Sequence, residues 1–230
     1  MVLKSQVCNN HSVAIFTDAS LKTVDGVTSV CPGYAIYLNG VLVEQNFHIL
    51  HNATVNQGEL YAIMMGVYAS IRYRNIGQLR LFSDSQTSIF AIRDRIFKWI
   101  NNVQDSDGLL RGTDGQVILN QDRIMDIIYL VMMQNLPIEF YHLKGHINPN
   151  DVNDMKKQRE VFARSNGITD AIDNELLRWI SQCNDYIDRY TGIMLDMHIA
   201  DQRFSQLPDA ITMGYVPFDT IKYKQLIGVC

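Results

Sequence analysis

The first patterned segment is the apolar, β-branched run SVAIFT at 12–17, which stops at Asp18 and is followed by the small residues Ala19 and Ser20. It predicts a buried strand ending in a carboxylate. A stretch rich in Gly, Thr and Ser at 21–33 then reads as a loop. Beyond it, Asn39-Gly40 separates two β-rich runs, a strong hairpin signal. Three consecutive antiparallel strands are therefore expected.

The period changes after Asn56. Leu60, Ile63, Met64, Val67, Tyr68 and Ile71 recur at helical spacing, with Asn56 placed to cap the helix and Glu59 in its first turn. LRLFS at 79–83 predicts a strand ending at Asp84, and Ile89, Ile92, Ile96, Trp99 and Ile100 mark the helix that follows. Residues 101–117 have no period and many Asn, Asp and Gly, so a long loop is expected there. Ile124, Ile127, Ile128 and Val131 give another helix, and PIEFYHL from Pro137 alternates as a strand.

A polar turn region, KGHINPNDVND at 144–154, leads to a helix expected from Asp154 to about Arg164, stopped by Asn166-Gly167. A further helix is expected from near Asp170, with Ile172, Leu176, Ile180, Cys183 and Ile187 on one face. Such a stripe more often packs on the parent domain than recruits a partner. The division that follows is a main domain at 1–166 and a C-terminal extension at 167–230, helical and then irregular, with no assigned role.

With 230 residues, 47% of them apolar and 19% charged, the chain has the composition of one globular domain plus an appendage. The start MVLKSQVCNN lacks the apolar core of a secretory signal, and no run approaches a membrane span, so a cytoplasmic, non-membrane protein is expected. Cys8, Cys31, Cys183 and Cys230 are scattered without zinc-ligand spacing, which predicts free thiols. A net charge of −4 excludes a protein that coats nucleic acid by bulk positive charge, but not an acidic site neutralised by metal ions.

Asp18, Glu59 and Asp84 stand at strand exits or at a helix start, the edge where α/β sheets gather ligands. Each alone reads equally well as a cap. Carboxylates brought together there repel by about 1 kcal/mol or more per close pair unless a cation intervenes. Oxygen-only ligation suits magnesium or manganese rather than zinc.

FTDAS at 16–20, TVNQGELYAI at 54–63, SDSQTS at 83–88 and KGHINPNDVND at 144–154 resemble, in this order, the four motifs of type 1 ribonuclease H, over about residues 12–166. The resemblance implies an RNase H-like α/β fold: a five-stranded mixed sheet, three strands antiparallel and then two parallel, flanked by helices. It implies an endoribonuclease that cuts the RNA strand of RNA-DNA hybrids with two Mg2+ ions, for which Mn2+ can substitute. Asp18, Glu59 and Asp84 would be the core metal ligands and Asp154 the fourth, with Asp151 competing for that place. Asp18 would bridge both ions, which in this chemistry stand about 4 Å apart, one activating water and one stabilising the leaving 3′-oxygen.

By the same resemblance His146 corresponds to the mobile-loop histidine that aids proton transfer or product release, unless it is simply a surface residue. Thr54 matches a phosphate contact on the DNA strand, while Asn56 and Gln86 match nucleic-acid contacts, Asn56 mainly at the RNA 2′-hydroxyl. Arg93, Arg95, Lys98 and Trp99 follow the third motif, where some relatives carry a basic protrusion. Here the next segment holds Asp105, Asp107 and Asp114 against Arg111 alone. The first motif also reads Asp-Ala-Ser where Asp-Gly-Ser is common. Arg178, Trp179, Arg189 and the stretch from Lys222 to Lys224 are expected to be solvated rather than to extend a nucleic-acid surface. Two other readings stand beside the main one: another nuclease of the superfamily acting on DNA or structured nucleic acid, and a non-catalytic binding or inhibitory protein on the same fold.

Overall fold

A computed structural model of the chain describes residues 12–101, 108–169 and 172–200. Cys8, Cys230, His11, Asp105, Asp107, Asp170 and the stretch from Lys222 to Lys224 lie outside the described residues.

The central sheet runs in the order β3 (Val41–Phe47), β2 (Val27–Leu38), β1 (Ser12–Val24), β5 (Gln78–Ser83), β6 (Ile138–His142), with the two-residue β4 (Leu50–His51) also paired to β2. β1, β2 and β3 are antiparallel, whereas β5 and β6 add in parallel on the other side of β1. This is the expected mixed sheet, with β4 as a short addition.

The stretch 21–33 is not a loop. β1 continues past Asp18 to Val24 and returns as β2 through Asp25-Gly26, both in the left-handed region at φ 51° and 80°. Asp-Gly is a turn pair of the type that joins two strands directly. The ribbon's outer half is exposed on both faces, so it lacks the apolar alternation that marks a strand from sequence.

One face of the sheet is covered by α1 (Val55–Ser70), by the run made of α2 (Gln86–Phe90), a π-helical turn (Ala91–Arg95) and α3 (Ile96–Asn101), and by α4 (Gln121–Met133). The other face carries α5 (Val152–Asn166) and α6 (Asn174–Ala200). The strand period divides β1 between them: Val13 and Ile15 enter the first core, while Ala14 and Phe16 enter the second.

Helix starts differ from the sequence expectation by a few residues. Thr54, not Asn56, caps α1, in a reciprocal capping box with Gln57, so Glu59 falls beyond the first turn. Asp151 caps α5 by accepting from the backbone N–H groups of Asn153 and Asp154, each at 2.9 Å. α5 ends at Gly167, in the left-handed region at φ 64°, as Asn166-Gly167 predicts. Asp173 accepts from the N–H groups of Glu175 and Leu176 and sets the start of α6. Within the segment expected as a loop, Arg111 and Val117 bridge in antiparallel fashion.

α6 is 27 residues long, about 40 Å at 1.5 Å per residue. It lies along β1 and β2. Leu176, Leu177, Ile180, Cys183 and Ile187 are buried with Phe16, Phe82 and Phe162, and Trp179 packs edge-on to Phe16 and Tyr37, each ring at 5.8 Å. The apolar stripe thus packs on the parent sheet. Each fully buried Leu or Ile contributes roughly 1.5–3 kcal/mol to holding the helix there. Cys31 and Cys183 are buried free thiols.

Candidate active site

The register of the sheet brings two carboxylates together. β1 and β5 are parallel with Thr17 beside Ser83, so the next residue of each chain segment, Asp18 and Asp84, emerges at one edge. The third carboxylate comes from α1. Gly58 allows that helix to press on the sheet, since a Cβ there would overlap Val30 and stand 3.0 Å from the Ala19 Cβ. Glu59, the neighbouring residue, is thereby carried to the same edge. One carboxylate oxygen from each of Asp18, Glu59 and Asp84 lies within 4.8 Å of the others. The backbone of Gly145, after β6, closes over Asp84 so tightly that any Cβ there would overlap its carboxylate.

Burial and mutual repulsion set the electrostatics. Asp18 has its pKa pushed up to about 7, first by burial, then by the charges of Asp84 and Asp188, against hydrogen bonds from the Ala19 backbone and Thr191. Glu59 is raised well above the usual carboxylate range, again by burial first and then by Asp18 and Asp84. Asp84 is raised by burial, with His146 opposing and Asp188 adding to the shift. Glu59 Oε2 is buried and has no hydrogen-bond partner among the described residues. An orphaned carboxylate oxygen among three converging acids, with no basic side chain in the group, is the donor set of a hard divalent cation.

The remaining residues singled out from the sequence are distributed around this edge. Asp154 stands outside the close group, in the first turn of α5, where its carboxylate accepts from Lys157 Nζ at 3.1 Å and from the Asn148 N–H at 3.3 Å. Those two hydrogen bonds lower its pKa. Asp151 is occupied by its capping bonds. His146 lies in the left-handed region at φ 52°, with its side chain 85% exposed and its Nδ1 3.5 Å from Asp188 Oδ2. A non-glycine residue held there costs about 1–2 kcal/mol.

Thr54 is exposed at the α1 cap. Asn56 Oδ1 accepts from Ser88 Oγ at 3.5 Å, which ties the first turns of α1 and α2 together, and Gln86 is exposed at the start of α2. Arg93 faces inward: it donates to the Ser165 carbonyl at 2.7 Å, to Asn166 Oδ1 at 2.8 Å and to the Phe140 carbonyl at 3.2 Å. Arg189 pairs with Asp185 at 2.9 Å, and Arg178 is exposed on α6.

Two residues on α6 reach this edge and carry no sequence motif. Thr191 Oγ1 donates to Asp18 Oδ2 at 3.2 Å and lies 3.0 Å from the Asp188 carbonyl. Asp188 is close enough to Asp18, Glu59 and Asp84 for its charge to raise the pKa of each. The approach of α6 depends on Gly33, paired with Asp18 across β1 and β2, because a Cβ at Gly33 would stand 2.7 Å from Thr191 Cγ2.

The RNase H family model matches residues 10–161. No curated protein matches the sequence. Among solved structures, the foamy viral protease-reverse transcriptase in complex with dsDNA is similar at 13% identity and a TM-score of 0.50, over 69% of this chain and 96% of that one. The same viral protein in complex with an RNA/DNA hybrid gives 12% identity and a TM-score of 0.49 over 68% of this chain, which spans only 20% of that one. RNase H1 from the halophilic archaeon Halobacterium salinarum gives 14% identity and a TM-score of 0.40, over 58% of this chain and 86% of that one.

Proposed function

This chain belongs to the RNase H family, and on that membership together with its buried carboxylate group we propose that it is a divalent-metal-dependent endoribonuclease that hydrolyses the RNA strand of RNA-DNA hybrids. The observation that carries the reading is the convergence of Asp18, Glu59 and Asp84 within 4.8 Å, with Glu59 Oε2 buried and unpaired. Three ionised carboxylates that close repel strongly, a repulsion that binding of Mg2+ or Mn2+ by them would convert into ligation.

Asp18, Glu59 and Asp84 would hold the metal, and Asp154, which matches the family's fourth motif but is held by Lys157 and Asn148, is one candidate for a fourth place. Bound ions supply Lewis acidity for an attacking water and for the departing 3′-oxygen. The other residues position substrate and move protons. Thr54, Asn56 and Gln86 stand at the starts of α1 and α2, where N–H groups and polar side chains can receive phosphate and 2′-hydroxyl oxygens. His146 projects from an exposed, backbone-constrained loop beside the carboxylates, where its imidazole can take up or release a proton.

The test is cleavage of a labelled RNA-DNA hybrid beside duplex RNA, duplex DNA and single strands, with Mg2+ or Mn2+, in wild type and Asp84→Asn. Metal-dependent cutting confined to the hybrid's RNA strand, and lost in the variant, is the expected result. Cutting of DNA would move the chain to another branch of the superfamily. A folded protein that cuts nothing would favour a binding or inhibitory role.

A further inference from the structure

We infer that Asp188, on the C-terminal helix α6, supplies the fourth carboxylate of the metal site, so that α6 forms one wall of the active site. The inference rests on the metal-nuclease reading above and changes which residue completes it.

Three observations on α6 converge. Asn184, Asp188 and Thr191 are spaced i, i+4 and i+7, which puts them on one face of the helix. Thr191 is fully buried, and its hydroxyl touches the Asp18 carboxylate while reaching the Asp188 carbonyl, which fixes the helix at this point. Asn184 is 5% exposed and its Oδ1 has no hydrogen-bond partner, yet it lines a small cleft with Lys144, His146 and Asp188. A buried acceptor without a partner among the described residues, facing a cleft that Asp188 also lines, is available to a water or ion held there.

Asp188 and Asp154 differ in what already occupies them. Asp154 accepts from Lys157 and from the Asn148 backbone, so recruiting it to a metal means breaking a salt bridge and a loop hydrogen bond. Among the described residues the Asp188 carboxylate has the weaker contact to His146 Nδ1 at 3.5 Å, and its side chain is 35% exposed. Asp188 also acts electrostatically on all three core carboxylates. Its oxygens stand outside the close group of three, so Asp188 would add a ligand beside that group rather than within it.

The experiment measures Mn2+ affinity of the full chain from the electron paramagnetic resonance signal of free Mn2+, with cleavage followed in parallel, for wild type, Asp188→Asn, Asp154→Asn, Asp185→Asn and Asp84→Asn. Asp185 lines the same cleft on the same helix and serves as the control for simple loss of negative charge. Asp188→Asn is expected to weaken Mn2+ binding by about tenfold or more and by more than Asp154→Asn does, while Asp185→Asn changes it by less than about twofold. Circular dichroism and melting with the metal chelated verify that each variant is folded. Wild-type Mn2+ affinity in Asp188→Asn, or a loss in Asp154→Asn in its place, overturns the inference and leaves the nuclease reading intact. If Asp84→Asn changes neither binding nor cleavage, the metal-nuclease reading falls and takes this inference with it.

Discussion

Replacing Asp18 by asparagine should stabilise the metal-free protein while abolishing its response to metal. In the folded chain the Asp18 carboxyl has a pKa of about 7, whereas an unfolded aspartate titrates near its ordinary value of 3.8. A raised carboxyl pKa means that the native state holds the proton more tightly than the unfolded state, so stability is lost as pH rises through the window between those two values. At about pH 8 the whole difference is expressed, about three units or on the order of 4 kcal/mol. Asparagine removes this cost but can keep only one of the two hydrogen bonds that the carboxylate accepts, from the Ala19 backbone and Thr191. A lost bond returns roughly 1–2 kcal/mol. The net gain is therefore about 2–3 kcal/mol, or roughly 4–12 °C in Tm for a chain of this size. At about pH 5 most of the advantage is gone, because the native Asp18 is already protonated. The assay is thermal melting in a chelator at both pH values and again with millimolar Mg2+, which should raise the Tm of wild type only. A variant that melts at or below wild type at the higher pH with chelator present would refute the argument, since it would mean that Asp18 is neither buried nor crowded as an ion.

Two further changes test how α6 is seated. Gly33→Ala places a Cβ 2.7 Å from Thr191 Cγ2 and 3.3 Å from the Asn46 carbonyl, so it should cost roughly 1–3 kcal/mol and show as a lowered chemical-denaturation midpoint; an unchanged midpoint would mean that α6 does not press on β2 there. Thr191→Val keeps the shape but removes the hydroxyl that touches Asp18, Ser20 and the Asp188 carbonyl. It should weaken Mn2+ binding about threefold to tenfold with little change in fold by circular dichroism, and wild-type affinity would show that the hydroxyl does not orient the carboxylates.

The Asn39-Gly40 hairpin and the helix faces were legible because each rests on a local turn or apolar signal with one buried side, while the mixed sheet of three antiparallel and two parallel strands followed from the motif resemblance. The outer half of the β1-β2 ribbon was not legible, because residues 21–27 are exposed on both faces and only Asp25-Gly26 marks the reversal. The cap of α1 was misplaced by two residues for a local reason. Thr54 and Asn56 are both good capping residues, and the deciding contact is the return bond from Gln57 to the Thr54 backbone.

The site divides along a different line. Asp18, Glu59 and Asp84 could be found because each ends or begins a patterned element and sits in a short motif, and strand register then brings them together. Asp188 had no such signal: it lies mid-helix in DYIDRY, among residues whose spacing reports only an apolar stripe. What carries it to the carboxylates is tertiary, namely the absence of a side chain at Gly33 on β2 and the seating of Ile180 and Ile187 on the sheet, neither of which is local in sequence to Asp188's partners. Gly33 itself read as part of a loop, so its role as the contact that admits α6 was hidden by the same misreading that hid the ribbon. A helix packed by an ordinary apolar stripe can therefore deliver a charged residue to an active site at no visible cost in pattern, because its site-facing positions 184 and 188 each follow a core-facing position, 183 and 187, by one residue and so lie on the adjoining face. The stripe on α6 and its polar face at 184, 188 and 191 are two consequences of one docking geometry, and a change that unseats the first, such as Gly33→Ala, should also disturb the second.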